Sequence, residues 1–329
     1  EEVLYGPRQG QVVAEVEQEL GNLTAGWEWA LARGHSGWLA GAAESLGRLE
    51  ITRFPFQIRI PWGETAEALR GWVADKRAQG PGAWLIEARA LARVAFWIRW
   101  LFALPPEPTR QALVETLALL EEQQWAGHDV RFEQALIALA LGHLDRERPE
   151  GRPWLERAAA GFEALDDPAR QSRALRYLAS THEVRGEFDA ARRLRDRELA
   201  LIRPVGDPNG LATALADSAR LALYQDDVER AEREAREAWA IRWGGGWDRK
   251  LVIRDLLGYT LCGIGKFAEA LAWAEEVLPI WEREMPARAN YFLLIRAVAL
   301  WHLGRYEESL ESLAASGRPL ISFARATLA

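Results

Sequence analysis

Four short turns recur at nearly constant spacing, and that spacing limits the fold more than any other feature of the chain. They read Arg185-Gly186-Glu187-Phe188-Asp189-Ala190-Ala191, Gln225-Asp226-Asp227-Val228-Glu229-Arg230-Ala231, Gly265-Lys266-Phe267-Ala268-Glu269-Ala270 and Gly304-Arg305-Tyr306-Glu307-Glu308-Ser309. The small residues that close them, Ala191, Ala231, Ala270 and Ser309, lie 40, 39 and 39 residues apart. Glycine at the first turn position supplies a left-handed helix cap, the apolar residue two later packs into the interface, and the small residue lets two helices approach closely. Asp167-Pro168 and Asp207-Pro208, also 40 residues apart, offer an N-cap carboxylate followed by a proline at the first helical position, where its missing N–H costs nothing. Between such breaks the apolar residues follow helical periodicity, and no stretch sustains strand alternation. The expected fold class is all-α.

This helix-turn-helix pattern resembles the tetratricopeptide repeat, most cleanly at Leu257-Gly258, Gly265, Phe267, Ala270 and Ala274. The usual period is about 34 residues, so 39 to 40 implies longer helices. Asp226 replaces the turn glycine in one repeat, and Arg195 and Glu198 stand where small or aromatic residues are usual in another. The repeat signal is clearest over residues 150–316. It extends over 105–329, while residues 1–104 read as N-terminal helical, degenerate repeats. Together they are expected to form one continuous solenoid, and the resemblance implies a right-handed superhelix of about sixteen helices.

A second resemblance is carried by residues 14–34, including Glu19, Asn22-Leu23, Ala25 and Trp29-Ala30-Leu31 before the turn Gly34, and by the run Glu150-Gly151-Arg152-Pro153-Trp154-Leu155-Glu156-Arg157-Ala158. Both look like the C-terminal repeat region of bacterial STAND signal-transduction ATPases. That resemblance implies a sensor that binds an inducer (a small molecule, a peptide or a protein) in its concave groove and restrains an N-terminal ATPase module in a regulator of transcription. The chain begins at Glu1 without a leader and reads as a piece of a longer protein.

The composition narrows the function further. With 48 acidic against 41 basic side chains the formal charge is −7, so direct nucleic-acid binding is not expected; the excess of 38 Arg over three Lys reads as the base composition of a bacterial genome. The single cysteine, Cys262, rules out a disulfide framework or a cysteine-based metal site and fits a cytoplasmic location. No segment has the roughly 18 uninterrupted apolar residues of a membrane span. Gly263-Ile264-Gly265-Lys266-Phe267 lacks the spacing and the hydroxyl of a phosphate loop. The five histidines, at 35, 128, 143, 182 and 302, form no metal-ligand pair, and His182 and His302 fall near equivalent repeat places, as structural residues do. Ser36 reads as a helix cap and Cys262 as a buried, inert thiol. No enzyme chemistry, cofactor or metal is expected.

What remains is the groove. The resemblance implies that the first helix of each pair lines it, which assigns Arg173, Arg176 and Tyr177, then Asp217, Arg220 and Tyr224, then Asp255 and Tyr259, then Tyr291 and Trp301 as ligand- or partner-binding residues. Tyrosine and arginine are hot-spot types. The competing readings are that the tyrosines pack helix on helix and that the arginines form ion pairs, for instance with Asp217 or Asp255. Sixteen tryptophans accompany them. Most sit at core spacing, with Trp243 and Trp247, around three glycines, the ones expected to be exposed. A constitutive scaffold for a partner protein and an accessory domain of a larger enzyme are the alternative functions.

Overall fold

The computed structural model describes residues 18–52, 60–101 except 81, 106–241 except 126, and 251–317 except 285, with residues 8, 11 and 15 besides. Trp243 and Trp247 lie outside the described residues. Regular structure among them is entirely helical, in fifteen helices: α1 Leu20–Ala32, α2 Ser36–Thr52, α3 Trp62–Arg77, α4 Leu85–Leu101, α5 Pro106–Trp125, α6 Arg131–Leu144, α7 Gly151–Ala164, α8 Pro168–Val184, α9 Phe188–Val205, α10 Pro208–Tyr224, α11 Val228–Ala240, α12 Leu251–Gly263, α13 Phe267–Glu284, α14 Pro286–His302 and α15 Tyr306–Ala315. They form two compact units, one ending at Leu211 and the other starting at Ala212, inside α10. In the first unit α2, α4, α6 and α8 pack in succession; α5, α7 and α9 pack on α4, α6 and α8 as the second helices of their pairs, and α3, which follows α2, packs on α4. In the second, α12 packs on α13, α13 on α14 and α14 on α15.

The recurring turns are one structure repeated. Gly186, Gly265 and Gly304 have φ of 74°, 77° and 78°, and Asp226, which takes the place of the glycine, adopts the same left-handed conformation at 56°. In each turn the next residue donates its amide to the carbonyl five residues back: Glu187 to His182 (3.0 Å), Asp227 to Ala222 (2.9 Å), Lys266 to Leu261 (2.8 Å) and Arg305 to Leu300 (2.9 Å). This bond satisfies a terminal helix carbonyl and reverses the chain in three residues. Asp166 (φ 52°), with Asp167 donating to Phe162, repeats it between α7 and α8.

The other expected signals act as their chemistry requires. The Asp167 carboxylate accepts from the Arg170 amide at 3.0 Å and that of Asp207 from the Asn209 amide at 3.0 Å, each ahead of its proline. Ala191, Ala231, Ala270 and Ser309 are completely buried. The Ser309 hydroxyl also donates to the Ala297 carbonyl at 2.7 Å, which ties α15 to α14. Gly258 lets α12 lie against its neighbours, since a Cβ there would stand 2.4 Å from the Trp273 ring. Ser36 is no cap: it is buried and its hydroxyl donates to Glu87 at 2.8 Å, because the carboxylate, itself buried, needs donors there.

Because an L side chain at positive φ is strained, Gly186→Ala should cost about 1 kcal/mol although a Cβ there meets nothing within 4 Å, whereas Asp226→Gly should gain up to about 1 kcal/mol. Chemical denaturation measures both, and equal or reversed signs would contradict the turn assignment.

Candidate functional site

The groove residues assigned to the first unit are engaged in its own packing. Arg176 on α8 pairs with Glu198 of α9 (Nε to Oε1, 2.6 Å) and donates through Nη2 to the Gly210 carbonyl at 3.0 Å. Arg195 is completely buried and donates to Glu198 at 3.0 Å, to Glu183 at 2.7 Å and to the Ser180 hydroxyl at 3.1 Å. Arg195 and Glu198, the departures from the repeat pattern, therefore replace a small or aromatic contact with a buried ion chain across the α8–α9 pair. Tyr177 packs edge-on against His143, with ring centres 4.5 Å apart. Arg173 is half-buried and also partnered.

The second unit contains an open-sided cavity of about 600 Å³. Its walls are the C-terminal ends of three first helices and the turns that follow two of them. From α10 come Arg220, Leu223 and Tyr224, with Asp226 and Val228 from its turn; from α12 come Tyr259, Cys262 and Gly263, with Gly265 and Phe267 beyond; from α14 come Ile295, Val298 and His302. The lining is thus mainly apolar and aromatic, with a few polar groups set into it, the composition of small-molecule sites of this size. Phe267 and His302 form a parallel stack, ring centres 4.1 Å apart and planes 3° apart. Tyr224 is 59% exposed. Arg220 pairs with Asp217 one turn earlier, at 3.0 Å.

Of the ten groove residues expected from sequence, Arg220, Tyr224 and Tyr259 line this cavity, with Asp217 directly behind Arg220. Tyr291 and Trp301 are partly exposed in the same unit outside its lining, Trp301 edge-on to Tyr306 at 4.9 Å. The Asp255 side chain lies outside the described residues. The two histidines are not equivalent, since they stand four and two residues before their turn glycines, Gly186 and Gly304. Consequently His182 is buried and bonds Glu187 through Nδ1 at 2.5 Å, while His302 is exposed at the cavity wall. His302, Phe267, Leu223 and Ile295 were missed as site residues. The turn register of His302 was the available signal for it.

Burial pushes the Cys262 thiol up to about 12, so it is protonated although it lines the cavity. No group of three or more His, Cys, Asp or Glu among the described residues could hold a metal ion, and no helix is long and apolar enough to cross a membrane. The acidic pairs Glu121-Glu122 and Asp226-Asp227 are tied into the fold. Glu121 and Glu122 reach Arg157 (3.0 Å) and Arg77 (2.6 Å) on neighbouring second helices, and Asp227 caps α11 through the Arg230 amide at 3.3 Å.

Residues 251–286, which form α12 and α13 and so two walls of the cavity, match the family model of the tetratricopeptide repeat. The described residues form an all-α array of helix-turn-helix pairs that includes a tetratricopeptide-type region. A comparison with curated proteins finds no match. Among solved structures the chain is similar to the crystal structure of a Rap protein complexed with competence and sporulation factor, at 12% identity and a TM-score of 0.46 over 94% of this chain and 99% of that one.

Reversing Arg176 would set a second carboxylate against a fully buried Glu198, so Arg176→Glu should destabilise the chain by roughly 3 kcal/mol or more. Arg220→Glu, at a 38% exposed side chain whose partner Asp217 lies on the same helix, should cost less than about 1 kcal/mol. Denaturant titration of both separates the structural arginine from the cavity arginine, and equal losses would contradict the assignment. Maleimide modification of Cys262 at pH 8 should run on the order of a thousandfold slower in the folded chain than after unfolding, as its thiolate fraction dictates. A ratio near one would show that burial does not hold the thiol in its protonated form.

Proposed function

We propose that the chain is a ligand-sensing, protein-interaction region whose binding site is the cavity at the ends of α10, α12 and α14. The observation that carries this reading is the convergence of three successive first helices on one concave space with aromatic and apolar walls and one arginine. Tertiary packing usually fills such a space, and here it is left open. Arg220, Tyr224 and Tyr259 are the binding residues from the sequence that this reading retains, with Asp217 orienting Arg220, while Arg173, Arg176, Tyr177, Tyr291 and Trp301 serve packing or a wider partner surface. The resemblance to STAND proteins supports a sensor of a cytoplasmic bacterial regulator, in which a bound inducer releases an N-terminal ATPase module of the same chain. For that to happen the inducer must bind the active arrangement more tightly than the resting one. Residues 1–104 are then degenerate repeats of the same array.

Gly263 gives the test a clean handle. It lines the cavity at the end of α12, and a Cβ there meets only Leu223, at 3.7 Å, so Gly263→Phe should fill the space with little strain. Wild-type chain isolated from its host should retain a bound mass or partner in native mass spectrometry or pull-down, and Gly263→Phe should lose it while melting normally. Equal retention by both would place binding elsewhere and leave a scaffold surface outside the cavity as the better reading.

A further inference from the structure

The cavity's chemistry specifies more than its existence, on the reading that it is the ligand site. We infer that its ligand is a small aromatic acid: a flat ring system of about two fused rings carrying a carboxylate. Four aromatic rings reach the lining from three helix pairs, namely Tyr224, Tyr259, Phe267 and His302. An aliphatic guest would be served equally well by leucine or valine at those places. Rings add a preference for another ring, because their quadrupoles favour offset-stacked and edge-on partners over shapeless apolar contact. The Phe267–His302 stack strengthens the point, since two rings stacked 3° from parallel hold each other in one orientation and present a fixed outer face or edge that a third ring can meet.

The charge of the guest follows from Arg220. Its guanidinium is set into the aromatic lining and is held by Asp217 of its own helix, which fixes its direction. A planar guanidinium has five N–H donors and matches a carboxylate in fork geometry. The acidic residue of the lining, Asp226, is exposed on the turn after α10, at the solvent side. A cationic guest would pair with Asp226 but would set its charge beside Arg220. An anion whose carboxylate meets Arg220 and whose ring enters the apolar interior satisfies both walls. The cavity is large enough for a bicyclic acid, and a volume of about 600 Å³ leaves space for bridging water at the carboxylate.

Calorimetric titration of the full chain with three probes of similar shape tests this directly. 2-Naphthoate carries ring and anion, decalin-2-carboxylate the anion without aromaticity, and 2-naphthylmethylammonium the ring with opposite charge. Naphthoate should bind at least tenfold more tightly than either of the others. His302→Leu should weaken naphthoate about fivefold and leave the decalin acid unchanged, and Arg220→Gln should weaken both acids; circular dichroism checks that the variants remain folded. Equal affinity for the two acids, or tighter binding of the ammonium, would overturn the inference. So would naphthoate binding unaltered by Gly263→Phe. If none of the probes binds while Gly263→Phe still strips the natural ligand, the aromatic-acid assignment fails alone and the cavity stands as the site.

Discussion

Everything in this molecule depends on one hydrogen bond made repeatedly: the amide just past a left-handed turn residue donating to a carbonyl five residues back. His182, Ala222, Leu261 and Leu300 all accept it, over 2.8 to 3.0 Å. It ends one helix and aims the next within three residues, so the closing small residue always arrives at the same place on the first helix. With Ala191, Ala231, Ala270 and Ser309 fully buried there, the two helices of each pair can approach closely. The same bond sets the cavity. It places Val228 and Phe267, the first residues of α11 and α13, immediately beyond the ends of α10 and α12, and with them the floor that α14 closes.

Within this shared scheme the two units treat their interior differently. In the first unit the successive first helices are joined by buried charge. Arg170 of α8 reaches Glu44 of α2 at 2.7 Å, Trp97 donates to the same carboxylate at 3.2 Å, and Arg93 of α4 bonds both the Ala40 carbonyl (2.8 Å) and Glu133 of α6 (3.0 Å). Such pairs give little net stability once desolvation is counted, but a half-broken one is costly, so they enforce a single arrangement. The chain of Arg176, Glu198, Arg195 and Glu183 works in the same way. In the second unit the corresponding space between α10, α12 and α14 is lined by rings and aliphatic groups and holds a cavity. Buried ion pairs in one unit and a ring-lined cavity in the other are consequences of which side chains the repeat positions carry.

The repeat was readable because its determinants are local. A glycine two residues before an apolar one, an Asp-Pro start and a small residue at fixed spacing each act within one turn of chain, and even Asp226 kept the turn because aspartate tolerates left-handed backbone. The site was only partly readable because its determinants span repeats. Arg220, Tyr224 and Tyr259 could be placed by counting positions, yet the same counting assigned Arg176, whose partner Glu198 is set by the packing of α9 on α8. His302 was misread as the equivalent of His182, since two residues of register relative to the turn separate a buried histidine from one stacked at a cavity wall. Large rings at core spacing proved mostly interior, as with Trp27, Trp97, Trp273 and Trp281, but Trp29 and Trp38 are exposed, and nothing in their spacing distinguishes them.

The central claim, that ligand enters between the ends of α10, α12 and α14, is tested most directly by hydrogen–deuterium exchange of the chain with and without the small-molecule and peptide fraction of its host. The account predicts slowed exchange confined to the last turns of these three helices and to the turns at 225–227 and 264–266, with α2 to α8 unchanged. Protection concentrated on the first unit's helices, with none at those turns, would contradict it.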